Sequence, residues 1–438
     1  MMFDKVPSYF STLPVEFIYR ILDNLDDFTI LYSTRNVCAR LNSIIDTYHR
    51  YQVLTTLDLT DRKLGVEGAK HLSNALVNNK TLTSLSLCRN QIGDKGAHYF
   101  ANVLIINTTL EYLKLRDNNI REQGAKYLAD ALASNTTLTT LILFDNELGD
   151  KGAQHIANAL TSNRTLMILS LKRNQIGPEG VQYVANALTR NTALIRLALS
   201  ANNIGDDGAQ HLANALTSNT TLTKLILVQN GIGDQGVQYI ANALKNNTEL
   251  DIFLMLSLVA KHSLNFILTI IILMPKGQNI LPMLSSITRQ TITLIKLDLS
   301  HNGIRSDGAQ SIANALTSNR VLTVLNLSCN DIRAEGARHL ADALTRNTTL
   351  TTLELSRNDI GLRGAQNLAD ALIHNTTLTM LNLKWNQIED QGAQIFANIA
   401  SKNTNKRKDN KTHTFKVFVA RRERDTLKLT VCTDIFYC

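Results

Sequence analysis

The sequence predicts an α/β solenoid, a stack of strand–helix units with parallel strands along one face and helices along the other. Three observations predict it. A pattern L-x-x-L-x-L-x-x-N-x-I/L-G-x-x-G-A starts at Leu54, Leu82, Leu110, Leu138, Leu166, Leu194 and Leu222, then at Leu294, Leu322, Leu350 and Leu378. Within each run the step is 28 residues. Midway through each unit the apolar spacing changes from two residues to about 3.6, as when a strand hands over to a helix. Such units have no core of their own and acquire one by stacking, so domains cannot be counted from length.

Each position has a physical reason. In TLTSLSLCRNQIG, Leu85 and Leu87 are two apart and share one face of a short strand. Asn90 and its equivalents Asn118, Asn146, Asn174, Asn202, Asn230, Asn302, Asn330, Asn358 and Asn386 follow the strand. A buried amide there can satisfy backbone groups of adjacent turns, since an unpaired polar group is costly. The first unit has Arg62 instead, as expected of a terminal repeat. Ala69, Leu72, Ala75 and Leu76 fall on one helix face, with small alanines allowing close approach of neighbours. Asn79 and its counterparts are expected to end the helix in the left-handed conformation. Gly68, Gly96, Gly124 and their equivalents to Gly392 recur in all eleven units, implying a contact that a Cβ would spoil. The glycine three residues earlier gives way to Arg121, Arg305, Arg333 and Glu389, so that position is the less demanding one.

The pattern breaks between Leu222 and Leu294, an interval of 72 residues. Leu250, Phe253 and Met255 keep the strand register, and Leu281, Leu284 and Ile287 keep a helix face. An irregular eighth repeat with an insertion is therefore expected over 250–293. Its apolar window, 252–274, is long enough to cross a bilayer. Lys261 near its centre opposes that by about 2.5–3.5 kcal/mol, and no membrane span is expected.

Charge and cysteines narrow the function. Of the net +8, residues 402–438 hold ten basic against four acidic side chains, leaving the body of the chain at about +2. A nucleic-acid reader carries its positive charge on the folded surface, so no nucleic-acid partner is expected. The five cysteines, Cys38, Cys88, Cys329, Cys432 and Cys438, are odd in number and form no C-x-x-C pair. That pattern suits a reducing compartment and excludes a disulfide framework or zinc site. The start, MMFDKVPSYFSTLPVEF, has no basic flank before an apolar run, so no secretory leader is read there. The chain is expected to be cytoplasmic or nuclear, with the Asn-x-Thr sequons at Asn79, Asn107, Asn135, Asn163, Asn219, Asn347 and Asn375 an unglycosylated by-product of the repeat. His71, His155, His211 and His339 share one outer helix position on separate turns, which does not make a ligand cluster. Every G-x-x-G belongs to the repeat. No catalytic residue, metal or cofactor is expected.

The strand positions left free by the repeat vary, and several hold the side chains that protein-binding surfaces use. The candidate target-binding residues are Arg89, Tyr112, Arg116, Phe144, Lys172, Arg173, Arg196, Lys224 and Trp385. The repeat resembles the ribonuclease-inhibitor-like class of leucine-rich repeats. That resemblance implies a horseshoe whose concave face carries the parallel sheet and binds a protein target, here unidentified.

Residues 1–50 do not follow the repeat. Pro14 suits a helix start and Glu16 its first turn. Phe17, Ile18, Ile21, Leu22 and Leu25 give an apolar face; Asp26 or Asp27 can cap a second helix, and Val37, Leu41 and Ile44 or Ile45 mark a third. The segment resembles an F-box in Leu13-Pro14-x-Glu16, Ile21-Leu22, Leu25 and Val37-Cys38-x-x-Leu41, with Asn42 near the place of the usual tryptophan. The resemblance implies a small all-α module that docks a Skp-type adaptor and cullin through Leu13, Pro14, Phe17, Ile18, Ile21, Leu22 and Leu25. The chain would then be a non-catalytic substrate receptor of a ubiquitin ligase. A regulator of a small GTPase, a NOD-like-receptor-type repeat protein and a plain scaffold are the alternatives; the basic tail is unlike the acidic tail of Ran activators. The expected organisation is a helical module at 1–50, a solenoid at 51–405 and a basic tail at 406–438. The tail is read as a disordered end, although TFKVFV and TLKLTVC alternate like strands.

Overall fold

The computed structural model of the chain describes residues 13–25, 44–45, 48–49, 53–246, 294–406 and 416–419. They fall into two compact units, Met1–Asn203 and Ile204–Cys438. The first holds α1 (Val15–Asp23), β1 (Thr56–Asp58), α2 (Gly65–Leu76), β2 (Ser84–Ser86), α3 (Gly93–Ile106), β3 (Tyr112–Lys114), α4 (Glu122–Ser134), β4 (Thr140–Ile142), α5 (Gly149–Leu160), β5 (Ile168–Ser170), α6 (Pro178–Leu188) and β6 (Arg196–Ala198). The second holds α7 (Gly205–Leu216), β7 (Lys224–Ile226), α8 (Asp234–Asn246), β8 (Lys296–Asp298), α9 (Ser306–Leu316), β9 (Val324–Asn326), α10 (Arg333–Leu344), β10 (Thr352–Glu354), α11 (Gly361–Leu372), β11 (Met380–Asn382), α12 (Glu389–Lys406) and β12 (Lys416–Phe418).

Within each unit the strands pair in parallel with their sequence neighbours, and equivalent leucines stand side by side. Leu57 pairs with Leu85, Leu85 with Leu113, and Leu353 with Leu381. Leu85, Leu113, Leu141 and Leu169 are wholly buried, as are Ala97, Ala125 and Ala153 on the helices behind them. Loss of one such leucine side chain costs about 2–5 kcal/mol. This is the α/β leucine-rich-repeat solenoid that the leucine spacing predicts.

Two asparagine ladders tie the turns together. In the expected one, Asn90 Oδ1 accepts from the amides of Arg62 (3.0 Å) and Leu64 (3.3 Å), and its Nδ2 donates to the carbonyls of Leu59 (2.8 Å) and Cys88 (3.1 Å). The second ladder corrects the expectation for Asn79 and its counterparts. Asn107 and Asn135 end their helices with extended backbone, φ/ψ −72/130 and −69/133, not left-handed. That geometry turns the amide toward the previous turn. Asn107 Nδ2 donates to Leu76 O (2.9 Å) and Asn79 O (2.8 Å), while its Oδ1 accepts from the amides of Thr109 (2.9 Å) and Leu110 (2.8 Å). The sequon asparagines are thereby buried.

The helix entrances take two forms. Gly65, Gly93, Gly149, Gly205 and Gly361 are left-handed, with φ near +60. Arg121, Gly177 and Arg305 are extended instead. Arg333 and Glu389 adopt φ 59 and 61 without being glycine. The position is thus undemanding only at the extended entrances.

The described strands bear on two further places in the chain. β7 pairs directly with β8, Leu225 opposite Leu297, and Asn302 Nδ2 donates to Leu227 O at 3.0 Å across 75 residues. Helices α8 and α9 also pack together. The residues of the eighth repeat expected at 250–293 lie outside those described. At the C-terminal end, Lys416–Phe418 joins β11 as a further strand, with Val417 wholly buried opposite Leu381. Lys416–Phe418 of the expected tail thus joins the sheet, because an alternating strand can cover the last unit's open edge.

Candidate protein-interaction surfaces

On a strand of this fold, alternate side chains point away from the helices, and the 28-residue step aligns them in rows. Arg116, Phe144 and Lys172 occupy one row on consecutive turns of the first unit. The Arg116 guanidinium carbon lies 4.4 Å from the centre of the Phe144 ring, and Lys172 Nζ lies 4.7 Å from it. Arg173 approaches the same ring at 5.9 Å. Along β3 itself, Lys114 Nζ stands 5.2 Å from the Tyr112 ring. Cations over aromatic faces contribute about 0.5–1 kcal/mol each when exposed and more when desolvated.

The charges of this face are not balanced. Arg89 pairs with Asp117 at 3.5 Å and Arg173 with Asp145 at 3.8 Å, both at the strand exits. Lys114, Arg116, Lys172 and Arg196 have no salt bridge among the described residues. Arg116 Nε is buried with no hydrogen-bond partner. Asp58 stands at the edge, its carboxyl held below the usual range by hydrogen bonds from the Thr60 hydroxyl and amide, despite opposing burial.

Of the candidate target-binding residues, Tyr112, Arg116, Phe144, Lys172 and Arg173 come together here. Arg89 lies at the strand exit beside them, and Arg196 is exposed on β6. Lys224 on β7 and Trp385 after β11 belong to the second unit. Trp385 is 45% exposed at φ 62, with the Arg357 guanidinium carbon 5.7 Å from its ring. Sequence reasoning missed Arg357, although it occupies the equivalent position one repeat before Trp385.

In the N-terminal module, α1 divides the candidate adaptor-binding residues between two sides. Ile18 and Leu22 are 1% exposed, whereas Phe17 is 53% and Ile21 40% exposed. Pro14 is exposed too, and Leu13 and Leu25 are half-buried. Ile18 and Leu22 thus lie on the buried side of α1, and Phe17 and Ile21 on its exposed side. Tyr19 stacks on Tyr48, ring centres 5.5 Å apart, and the Tyr48 hydroxyl donates to Asp23 Oδ1 at 2.5 Å. The second and third helices expected from the F-box resemblance lie almost wholly outside the described residues.

Among the described residues no cluster of His, Cys, Asp and Glu could hold a metal ion, and no helix is long and apolar enough to cross a membrane. The window 252–274 lies outside them. His155 and His339 sit on outer helix faces beside Glu122 (4.0 Å) and Glu335 (3.5 Å).

These parallel strands, outer helices and asparagine ladders define a leucine-rich-repeat protein. Residues 190–213, 218–241, 292–313, 318–341, 346–369 and 374–397 match the family model described as Leucine Rich repeat. Residues 52–180 match the TMOD/LMOD Leucine-rich domain. No curated protein matches the chain. Solved structures similar to it include leiomodin-1 actin-binding site 2, at 26% identity over 33% of this chain and 80% of that one, TM-score 0.28. An internalin from Listeria monocytogenes is similar at 17% identity over 81% and 90%, TM-score 0.43. The tropomodulin C-terminal domain from Caenorhabditis elegans is similar at 14% identity over 34% and 90%, TM-score 0.30.

Proposed function

We propose that the chain is a non-catalytic receptor that holds a protein target on the strand face of its first unit and an adaptor on the exposed side of α1. The observation that supports the target surface most directly is the row Arg116–Phe144–Lys172. It is an aromatic ring between two unpaired cations, on a rigid sheet among small side chains, and aromatic and arginine anchors dominate protein interfaces. On α1, Pro14, Phe17 and Ile21 form an exposed apolar stripe, while the opposite side is held by Ile18 and Leu22. Combined with the F-box-like sequence, the stripe makes a Skp-type adaptor of a cullin ubiquitin ligase the proposed partner. Ubiquitin transfer would belong to the other subunits. Gel filtration with a purified Skp-type adaptor tests this: the wild type is expected to co-elute, and Phe17→Ala with Ile21→Ala to run alone. Failure of the wild type to co-elute would refute the ligase assignment.

Actin is a second candidate target, favoured by the sequence match of residues 52–180 to the tropomodulin/leiomodin leucine-rich domain. The solved leiomodin fragment supplies only the name of the ligand to test. Co-sedimentation with filamentous actin separates the two: an actin-binding protein pellets with the filaments whether or not α1 is altered.

A further inference from the structure

We infer that the segment recognised by the strand face of the first unit is an acidic stretch of polypeptide, its carboxylates meeting Arg116 and Lys172 on either side of the Phe144 ring. This rests on the proposal that the target occupies that face. Arg116 and Lys172 are brought to one ring from consecutive turns, at 4.4 and 4.7 Å from its centre, with no acid bridging them. Two like charges so placed repel one another, and the ring's electron-rich face only partly offsets this. Carboxylates that pair separately with Arg116 and with Lys172, on either side of the ring, relieve that repulsion.

The surroundings point the same way. Arg116 Nε is withdrawn from solvent and has no acceptor, so no carboxylate of the chain compensates this guanidinium among the described residues. Lys114 and Arg196 extend the positive strip across β3 to β6, whose strand residues include no acid, and Asp58 stands on β1. The acids beside the row, Asp117 and Asp145, are engaged with Arg89 and Arg173 at the strand exits. Apolar groups lie among the cations: Tyr112, Ile142 and Ile168 are half-exposed on the same strands. A target with alternating acidic and large apolar side chains matches both sets. A bare polyanion matches only the first.

Fluorescence anisotropy with labelled synthetic peptides tests the inference on the full chain. One peptide alternates Glu and Asp with Leu and Phe, a second has Gln and Asn in place of the acids, and a third has Lys. The acidic peptide is expected to bind, to weaken as salt is raised, and to lose about tenfold or more in affinity on Arg116→Gln with Lys172→Gln. Phe144→Leu keeps both charges and should weaken binding less. Lys114→Gln with Arg196→Gln provides an independent check should the first pair perturb folding, which far-ultraviolet circular dichroism reports. Equal binding of the neutral peptide, unaffected by these changes, would overturn the acidic assignment and leave the strand-face reading standing. Binding of oligothymidylate that displaces the acidic peptide would overturn it in favour of a general polyanion site. An acidic peptide that binds but photocrosslinks outside β3–β5 would refute both the assignment and the strand face. Absence of binding by every peptide would overturn the acidic assignment.

Discussion

Asp94 caps a helix that is not its own: its Oδ1 accepts the amides of Arg121 (2.7 Å) and Gly124 (3.0 Å), which open α4 in the next repeat. Asp150 does the same for Gly177 and Gly180, and Asp234 for Arg305 and Gly308. Asp206 reaches Gly233 at 2.7 Å. A Cβ on Gly124 would lie 2.5 Å from Asp94 Oδ1 and 2.6 Å from Ile120 Cγ2, and the clash with the Ile or Leu four residues earlier recurs at Gly152, Gly336 and Gly364, where no aspartate precedes. Where the preceding repeat has Val66, Glu122, Pro178, Ser306, Ala334 or Leu362 in place of the aspartate, the entry residue is left-handed instead. One side chain thus sets the backbone conformation of the next turn. Removing the cap with Asp94→Ala is expected to cost about 1 kcal/mol, with Asp94→Asn losing much less. Urea unfolding followed by circular dichroism measures both.

The same rule makes Arg333 a strained position. It holds φ 59 because Ser306 cannot reach it as an aspartate would. Arg333→Gly should raise stability by about 0.5–1 kcal/mol, the exposed Arg333–Asp331 pair being worth little. Ser306→Asp should stabilise by a comparable amount by supplying the cap and allowing the extended entrance. Because both remove one strain, the double variant should gain less than the sum. Simple additivity would show that the two positions are not coupled.

Deleting residues 250–293 should leave the second unit folded. The deletion joins Glu249 to Leu294 and restores the 28-residue step between β7 and β8, which already pair in register. Closing the shorter connection is entropically easier, so the thermal midpoint should hold or rise. A collapse of helical circular dichroism in the deleted protein would show instead that the segment supports the repeats.

Val417→Asp is expected to destabilise the C-terminal end by roughly 3–5 kcal/mol at neutral pH, through an unpaired charge in a fully buried strand position. Hydrogen exchange should show faster exchange first at Leu383, whose amide donates to Phe418 O at 2.8 Å. Exchange of the β1 and β2 amides should be unchanged, since each repeat depends on its neighbours.

Losing Asn118 should be costlier than its size suggests. Its amide serves Leu87 O (2.8 Å) and Arg116 O (3.0 Å) and accepts from Asn90 N (3.0 Å), so Asn118→Ala orphans groups in two turns. Each buried orphan costs about 1–3 kcal/mol. Asn118→Asp keeps the acceptor alone and should recover only part of the loss in an equilibrium unfolding measurement.

By itself the sequence determined the 28-residue unit, the strand leucines, the helix alanines and the asparagine that follows each strand. Those follow from spacing within one repeat, where two-residue and 3.6-residue periods can be read directly. It also marked the side chains left free on the strands. Only the tertiary structure decided which of them meet: Arg116, Phe144 and Lys172 are 28 residues apart, and their common ring contact exists only when turns stack in register. Stacking likewise turned Asn107 into a rung of a second ladder, aimed Asp94 at the next helix, and placed β7 beside β8 across a 72-residue interval. On α1 the period located an apolar helix, but only the tertiary structure chose Ile18 and Leu22 for burial and left Phe17 and Ile21 outside. Local spacing fixes what one turn can become, whereas burial and satisfied hydrogen bonds between turns fix what each side chain does.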